Sequence, residues 1–350
     1  LEQDWHETGD ASPSLRRCPV PLSQSVRGEQ WAEAGNAYFG REWENDLLAK
    51  LYDGVTAVAW VASDGTPTID GANRRRVLEW LGVAHCPRIL EEPQRTVWQL
   101  PEGWDQWKQY LCTAKDYYGR QVKRITVSQM DHLAVDNLDV ARGVLLISLV
   151  AQHWEAYYRK RAEVAAEGSH SRERYYRSWQ VKAKWWWEVC ERLPLSKRGK
   201  SDDHIALAKL WLPDKRTERA IGGLLPVVDV DAFGNDKDAV REWLINAVGL
   251  RTRIEQVTVE EWKAFLSRHI PDKAPAERLV SEERLRDRVT GWYAACLDTA
   301  AEQENVSEKA FASCALICRK GDVWQYVADE LRYLDDDNDL GTAFAEDIWL

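Results

Sequence analysis

The sequence predicts a mixed α+β fold, predominantly helical, in which repeated small β-hairpin units alternate with helices around an inserted helical hairpin. Three observations predict it. A short segment recurs three times, a Glu-Trp-Leu pattern recurs twice behind it, and residues 115–189 have no counterpart in the second copy.

The recurring segment begins with an apolar triplet, passes through a basic-Gly turn and ends on an aromatic residue. The first copy reads Val20-Pro21-Leu22-Ser23, then Arg27-Gly28, then Ala37-Tyr38-Phe39. The second reads Leu193-Pro194-Leu195-Ser196, then Arg198-Gly199, then Leu210-Trp211-Leu212. The third reads Leu316-Ile317-Cys318, then Lys320-Gly321, then Arg332-Tyr333-Leu334. Pro21 to Tyr38, Pro194 to Trp211 and Leu316 to Tyr333 are each seventeen residues apart. Fixed spacing of this kind marks a duplicated unit, so all three are expected to be hairpins with the aromatic in an equivalent place.

Helices follow the hairpins. Leu47, Leu48 and Leu51 fall on one helical face. Val77-Leu78-Glu79-Trp80-Leu81, which Asp70 or Asn73 can cap, is echoed by Val240-Arg241-Glu242-Trp243-Leu244. Gly82 and Gly249 come next, and Trp107-Lys108 is echoed by Trp262-Lys263. In the insertion, 139–166 holds a helical period, 167–171 breaks it and 172–192 resumes it, which predicts two antiparallel helices. Another helix is expected from Ser281 to about Gln303. The resulting order is 1–17 as a disordered segment or tag, 18–114 as unit one and 115–189 as the insertion. Unit two follows at 190–305, and 306–350 starts a third, truncated unit. A third copy that stops after its hairpin, in a chain with no initiator Met, reads as a piece of a longer protein.

Composition narrows the function classes. A hydrophobic share of 45% and a charged share of 30% are those of a globular protein. Nineteen Trp is many, and the repeats account for Trp31, Trp80, Trp107, Trp211, Trp243, Trp262 and Trp324 as core residues. A net charge of −10 argues against nucleic-acid binding by the whole surface. The longest apolar run, 143–151, is too short to span a bilayer, so no membrane partner is expected. Seven scattered Cys suit buried thiols in a reducing cytoplasm.

No motif for catalysis or cofactor binding is present. Gly222-Gly223 is followed by Leu224-Leu225-Pro226 and does not open a phosphate-binding helix. Cys314 and Cys318 lack further zinc ligands. Asp335, Asp337, Asp339 and Glu346 match a calcium loop, but Leu340 stands where glycine is required. The repeat instead aligns Asp339-Leu340 with the helix start Asp46-Leu47. No enzyme activity, cofactor or metal is expected.

The strongest electrostatic signal lies in the insertion. Arg159, Lys160, Arg161, Arg172, Arg174, Arg177, Lys182 and Lys184 alternate with Tyr157, Tyr158, Tyr175, Tyr176, Trp179 and Trp185-Trp186-Trp187. Basic residues neutralise phosphates and aromatics stack on bases, so these eight are the candidate nucleic-acid contacts. The competing reading is an amphipathic hairpin with aromatics inward and charges paired to Glu155, Glu163, Glu173 and Glu188. Successive residues on a helix turn by about 100°. Trp185 to Trp187 are therefore expected to place at least one ring inward and one near the surface.

The Val-Pro-Leu hairpin with Trp31, Ala37-Tyr38-Phe39 and Trp43 resembles segments downstream of the ATPase domain in bacterial sacsin-like proteins. So do Glu79-Trp80-Leu81-Gly82-Val83 and the closing stretch from Ile317-Cys318-Arg319 through Tyr333, Asp336-Asp337 and Phe344. The resemblance implies a large protein with an amino-terminal GHKL-type ATPase module, of a kind found in loci that restrict foreign DNA or phage. This chain lacks the Asp-x-Gly-x-Gly motif and the Gly-rich lid, so no catalytic residue carries over. The expected function is a non-catalytic scaffold whose partners are other domains of the same protein and other proteins. The alternative is a DNA- or RNA-binding segment acting through the basic insertion.

Overall fold

The structure, a computed structural model, describes residues 15–26, 28–63, 71–131, 138–169, 176–221, 225–258, 261–262, 264, 291–292, 316–320 and 323–327. The chain divides into two compact units, one of residues 1–209 with 229–248 and one of residues 210–228 with 249–350. The second hairpin thus falls in the first unit.

The first unit opens on a 3-10 turn, Leu15–Arg17, where a disordered segment was expected. Strands β1 (Pro19–Val26) and β2 (Glu29–Glu33) form the first hairpin. A short β3 (Ala37–Tyr38) then pairs parallel with β4 (Ala59–Trp60), on the far side of helix α1 (Asp46–Leu51). Helix α2 (Gly71–Leu81) closes this lobe. Its core includes Val20, Ala37, Phe39, Trp43, Val61, Leu78 and Val83, of which Val20, Ala37, Phe39 and Leu78 are apolar positions of the recurring pattern. Trp31 is 56% exposed, so it is not the core residue that the repeat suggested.

Strand β5 (Ile89–Thr96), helix α3 (Asp105–Thr113) and strand β6 (Val122–Met130) follow. Helix α4 (Val140–Gln152) is capped by Asp139, whose carboxylate accepts from Arg142 N–H at 2.8 Å. The helix does not run on to Ala166. A π turn, Trp154–Tyr158, and a 3-10 turn, Arg159–Arg161, end it. The chain then forms β7 (Glu163–Gly168) and β8 (Arg177–Lys182) before helix α5 (Lys184–Glu191).

The inserted helical hairpin is therefore a β-hairpin, and the fold is mixed helix and strand with several small sheets rather than predominantly helical. Strands β5, β6, β7 and β8 form one antiparallel sheet in that order. Residues 154–166 are rich in Ala, Glu, Lys and Arg, which favour helix locally. Pairing with β6 overrides that preference, because Val164 and Ala166 alternate inward with the two-residue period of a strand. Gly168 is not a helix breaker. A Cβ there would lie 2.0 Å from the Gln121 carbonyl oxygen and 2.8 Å from the Trp179 ring.

Trp185, Trp186 and Trp187 are all buried, so no ring of the three is left at the surface as the helical rotation suggested. Trp186 meets Trp154 at 4.8 Å and Trp243 at 5.8 Å between ring centroids. Trp185 meets Tyr158 at 5.3 Å. Helix α5 buries six of its eight residues and leaves only Glu188 and Glu191 toward solvent, so all three Trp rings are enclosed.

The second hairpin is β9 (Pro194–Lys197) with β10 (Lys200–Ala206). Helix α6 (Lys215–Ile221) belongs to the second unit and α7 (Lys237–Trp243) to the first. The third hairpin is β11 (Leu316–Lys320) with β12 (Val323–Val327), so strands occupy all three repeat sites. Tyr333, Cys314, the acidic run from Asp335 to Glu346 and most of the helix expected at 281–303 lie outside the described residues.

Backbone pairing bears out the first two aromatic positions. Tyr38 pairs parallel with Trp60 and Ala84, and Trp211 pairs parallel with Val227 and Arg251. Phe39 N–H donates to Ala84 O at 2.9 Å, and Leu212 N–H donates to Arg251 O at 3.0 Å. Gly82 and Gly249 each stand two residues before that partner, with φ of +103° and +77° that a side chain would strain. The proline match is two residues out of register. Glu33 pairs with Pro19 and Ala206 with Pro194, so Pro194 takes the place of Pro19 rather than Pro21. A two-residue slip keeps every side chain on its face, which is why the sequence pattern survives it.

Among the described residues, no helix is long and apolar enough to cross a membrane.

Candidate functional site

The six candidate basic residues that the structure describes do not form one face. Arg159 pairs with Glu155 at 2.8 Å, and Lys160 beside it is exposed. Arg161 lies 4.1 Å from the Tyr157 ring centroid and donates to Tyr157 O at 2.8 Å. Lys182 stands 4.0 Å from Glu191. Lys184 is only 7% exposed, where it closes on Glu188 and lies 4.4 Å from the Trp104 ring centroid. A phosphate cannot reach it. Register places Lys182 opposite Glu163 and Arg177 opposite Gly168, five residues along, or about 17 Å at strand spacing. Arg159–Arg161 and Arg177 are therefore at opposite ends of the sheet. Arg172 and Arg174 lie outside the described residues.

The end that carries Arg177 has a feature of which the sequence reading named only Tyr176. Trp98 (79% exposed), Tyr117 (96%), Tyr118 and Tyr176 are all exposed large aromatics. Trp98 follows β5, Tyr117 and Tyr118 precede β6, and Tyr176 precedes β8. Thr96 pairs with Arg124, Val122 with Gly168, and Gly168 with Arg177, so all four rings flank the same end of the sheet.

The tyrosine pair is held by Asp116. Its Oδ1 accepts from Tyr118 N–H at 3.0 Å and Arg120 N–H at 2.7 Å, and its Oδ2 pairs with Arg120 at 2.8 Å. Desolvation would raise this carboxyl, but the bonds from Arg120 and Tyr118 outweigh it and hold it below the usual carboxylate value. Arg120 lies 4.8 Å from the Tyr118 ring centroid. Lys123, Arg124 and Arg177 are exposed nearby, with Arg124 3.6 Å from Glu167. The signal was present in Asp116-Tyr117-Tyr118-Gly119: two adjacent aromatics between turn-forming residues cannot both enter a core.

At the opposite end of β5 lies a cavity of about 620 Å³. Arg16, Arg88 and Arg161 line it together with His85 and His153. Phe39, His85 and His153 stack in series, with centroid separations of 5.6 and 5.5 Å and ring planes 11° and 16° apart. Burial lowers His85 below the ordinary imidazole value, Glu79 at 3.7 Å opposing this and Arg75 adding to it. Burial and the neighbouring His85 lower His153 likewise. Cys86 is buried and its thiol is pushed up to about 11, which makes it a poor nucleophile at neutral pH.

Arg88 Nη2 donates to the carbonyls of Ala34, Ala37 and Gly82 at 3.2, 2.5 and 2.8 Å. Its Nη1 and the Nδ1 of His85 are buried without a hydrogen-bond partner. Among the described residues, no group of three or more His, Cys, Asp or Glu is placed to hold a metal ion. The sequence reading passed over both histidines, which are far apart in the chain.

No family model, no curated protein and no solved structure matches this chain.

Proposed function

We propose that the chain is a non-catalytic, cytoplasmic binding region that holds single-stranded nucleic acid at the aromatic end of its four-stranded sheet. The observation that carries this reading is the gathering of Trp98, Tyr117, Tyr118 and Tyr176 beside Lys123, Arg124 and Arg177. Exposed rings stack on unpaired bases, and cations beside them neutralise the phosphates between. The surface charge of the chain as a whole is acidic, so attraction must be local and strongly salt-dependent. Cys18, Cys86, Cys112 and Cys190 are free thiols, which suits the reducing cytoplasm.

The test is fluorescence anisotropy with labelled oligo-dT and oligo-U at two salt concentrations, comparing the wild type with Trp98→Ala/Tyr117→Ala and with Arg124→Glu/Arg177→Glu. Binding at low salt that both double variants weaken supports the reading. Absence of binding at low salt, or binding indifferent to both, overturns it.

A second reading is a scaffold that engages other proteins, as the region of a sacsin-like ATPase would. It is favoured by the Tyr38 and Trp211 units having the same backbone pairing, since repeated units build extended interaction surfaces. Oligonucleotides that fail to bind would leave this reading standing.

A further inference from the structure

We propose that the cavity between α2, the start of β5 and the end of α4 is a binding site for the phosphoryl group of a small phosphorylated molecule. Hydrogen-bonding capacity is left unmet beside this cavity. Arg88 and His85 both line the cavity, and each keeps one buried nitrogen without a hydrogen-bond partner, the His85 Nδ1 standing 3.7 Å from Glu79, beyond hydrogen-bond range. Leaving such groups unpaired is costly, and the cost is removed by a ligand that brings hydrogen-bonding oxygens. Arg88 cannot turn away to find water, because Nη2 is fixed by three main-chain carbonyls and its guanidinium lies 4.4 Å from the Tyr38 ring centroid.

Charge selects the ligand class. Three guanidiniums, Arg16, Arg88 and Arg161, line the cavity against two carboxylates, Glu79 and Glu91. Glu79 is already engaged by Arg75 at 3.1 Å. Guanidinium groups in this number favour a phosphoryl group over a neutral ligand. The volume is that of a small-molecule site, large enough for an organic group attached to the phosphate. The His153 ring, at the end of the Phe39–His85–His153 stack, supplies a flat wall for that group, and the imidazoles add hydrogen-bonding nitrogens. This site lies at the other end of β5 from the aromatic cluster and does not depend on it.

The experiment is isothermal titration of the full chain with inorganic phosphate, a sugar phosphate and a nucleoside monophosphate, at ionic strength matched with chloride. Saturable one-site binding tighter than about 1 mM is expected for at least one of them. A preference for either ester identifies a phosphorylated metabolite, and equal affinity for all three identifies free phosphate as the ligand. His153→Gln and Arg161→Gln are each expected to weaken binding at least about tenfold, roughly one charged hydrogen bond. Their melting temperatures show whether the fold is kept, and His153→Gln carries the test if Arg161→Gln does not fold. Trp98→Ala is expected to leave this binding unchanged. No saturable binding of any of the three by the wild type, or binding that a folded His153→Gln retains in full, overturns the proposal.

Discussion

Arg88 places its guanidinium 4.4 Å from the ring centroid of Tyr38 and ties the same arm to three carbonyls of the first hairpin lobe. Tyr38 in turn donates its hydroxyl hydrogen to Asp131 at 2.6 Å. Burial, together with Asp131, pushes the Tyr38 hydroxyl far above the ordinary phenol value, so it stays protonated. Arg251 makes the parallel arrangement on Trp211, at 4.0 Å, and pairs with Glu261 at 2.7 Å. In each case a cation seals an aromatic residue that occupies the middle of a three-segment parallel pairing.

Arg88→Ala is expected to destabilise the first unit by about 3 kcal/mol or more, from lost charged hydrogen bonds and the cation–aromatic contact. Arg88→Lys keeps the charge but cannot serve three carbonyls at once, so it falls between. Urea unfolding followed by tryptophan fluorescence measures both; equal stability of all three proteins would refute the bracing role.

Gly168→Ala is expected to cost about 3 kcal/mol or prevent folding, since a Cβ meets the Gln121 carbonyl at 2.0 Å. Ser169→Ala, one residue on, serves as the control. A Gly168→Ala protein that melts with the wild type would show that the β6–β7 pairing is wrong.

Lys184→Glu sets a second carboxylate against Glu188 in a buried site. Loss of one partner of a buried pair alone costs about 3–5 kcal/mol, so this variant is expected to be insoluble or unfolded. Lys184→Met with Glu188→Leu is expected to fold, because removing both charges removes the desolvation cost too. Circular dichroism of the purified variants distinguishes the cases.

Trp98→Ala and Tyr117→Ala are expected to change stability by no more than about 0.5 kcal/mol, as exposed substitutions do. Each should weaken oligonucleotide binding about tenfold, the worth of one stacked base. Anisotropy and thermal melting on the same samples separate the two effects.

Acid should destabilise the fold through His85 and His153. Their folded-state values lie below the ordinary 6.5, so the unfolded chain takes up protons first as pH falls. Stability is therefore full above about pH 6.5 and declines below it, until the folded values are passed. Glu79 and Arg75 act on His85, and His85 acts on His153, while Arg16, Arg88, Glu91 and Arg161 line the same cavity. His153→Gln should flatten the decline, and sulfate, an anion that stays doubly charged over this range, should oppose it. Urea midpoints from pH 5 to 8 provide the measurement.

Local pattern alone located the first two hairpins, the aromatic at the end of each, and the helices around Leu48, Leu78 and Trp107. These are short-range features: a basic-Gly turn, a fixed spacing and an apolar face all lie within a few turns of chain. Pattern failed at 154–182, where helix-favouring residues form strands β7 and β8. The strand partner that decides the matter, β6, lies some forty residues upstream in sequence, and a local period cannot register it. The candidate sites failed for the same reason. Lys184 looked like a surface cation until Glu188 and Trp104 enclosed it. His85 and His153 acquire a shared chemistry only when α4 brings one ring within 5.5 Å of the other. Charge, burial and reactivity depend on what surrounds a side chain in space, and that is decided by packing between distant segments. The sequence by itself determined which segments recur and which faces are apolar. The tertiary structure decided which cations line a cavity and which are enclosed by a carboxylate partner.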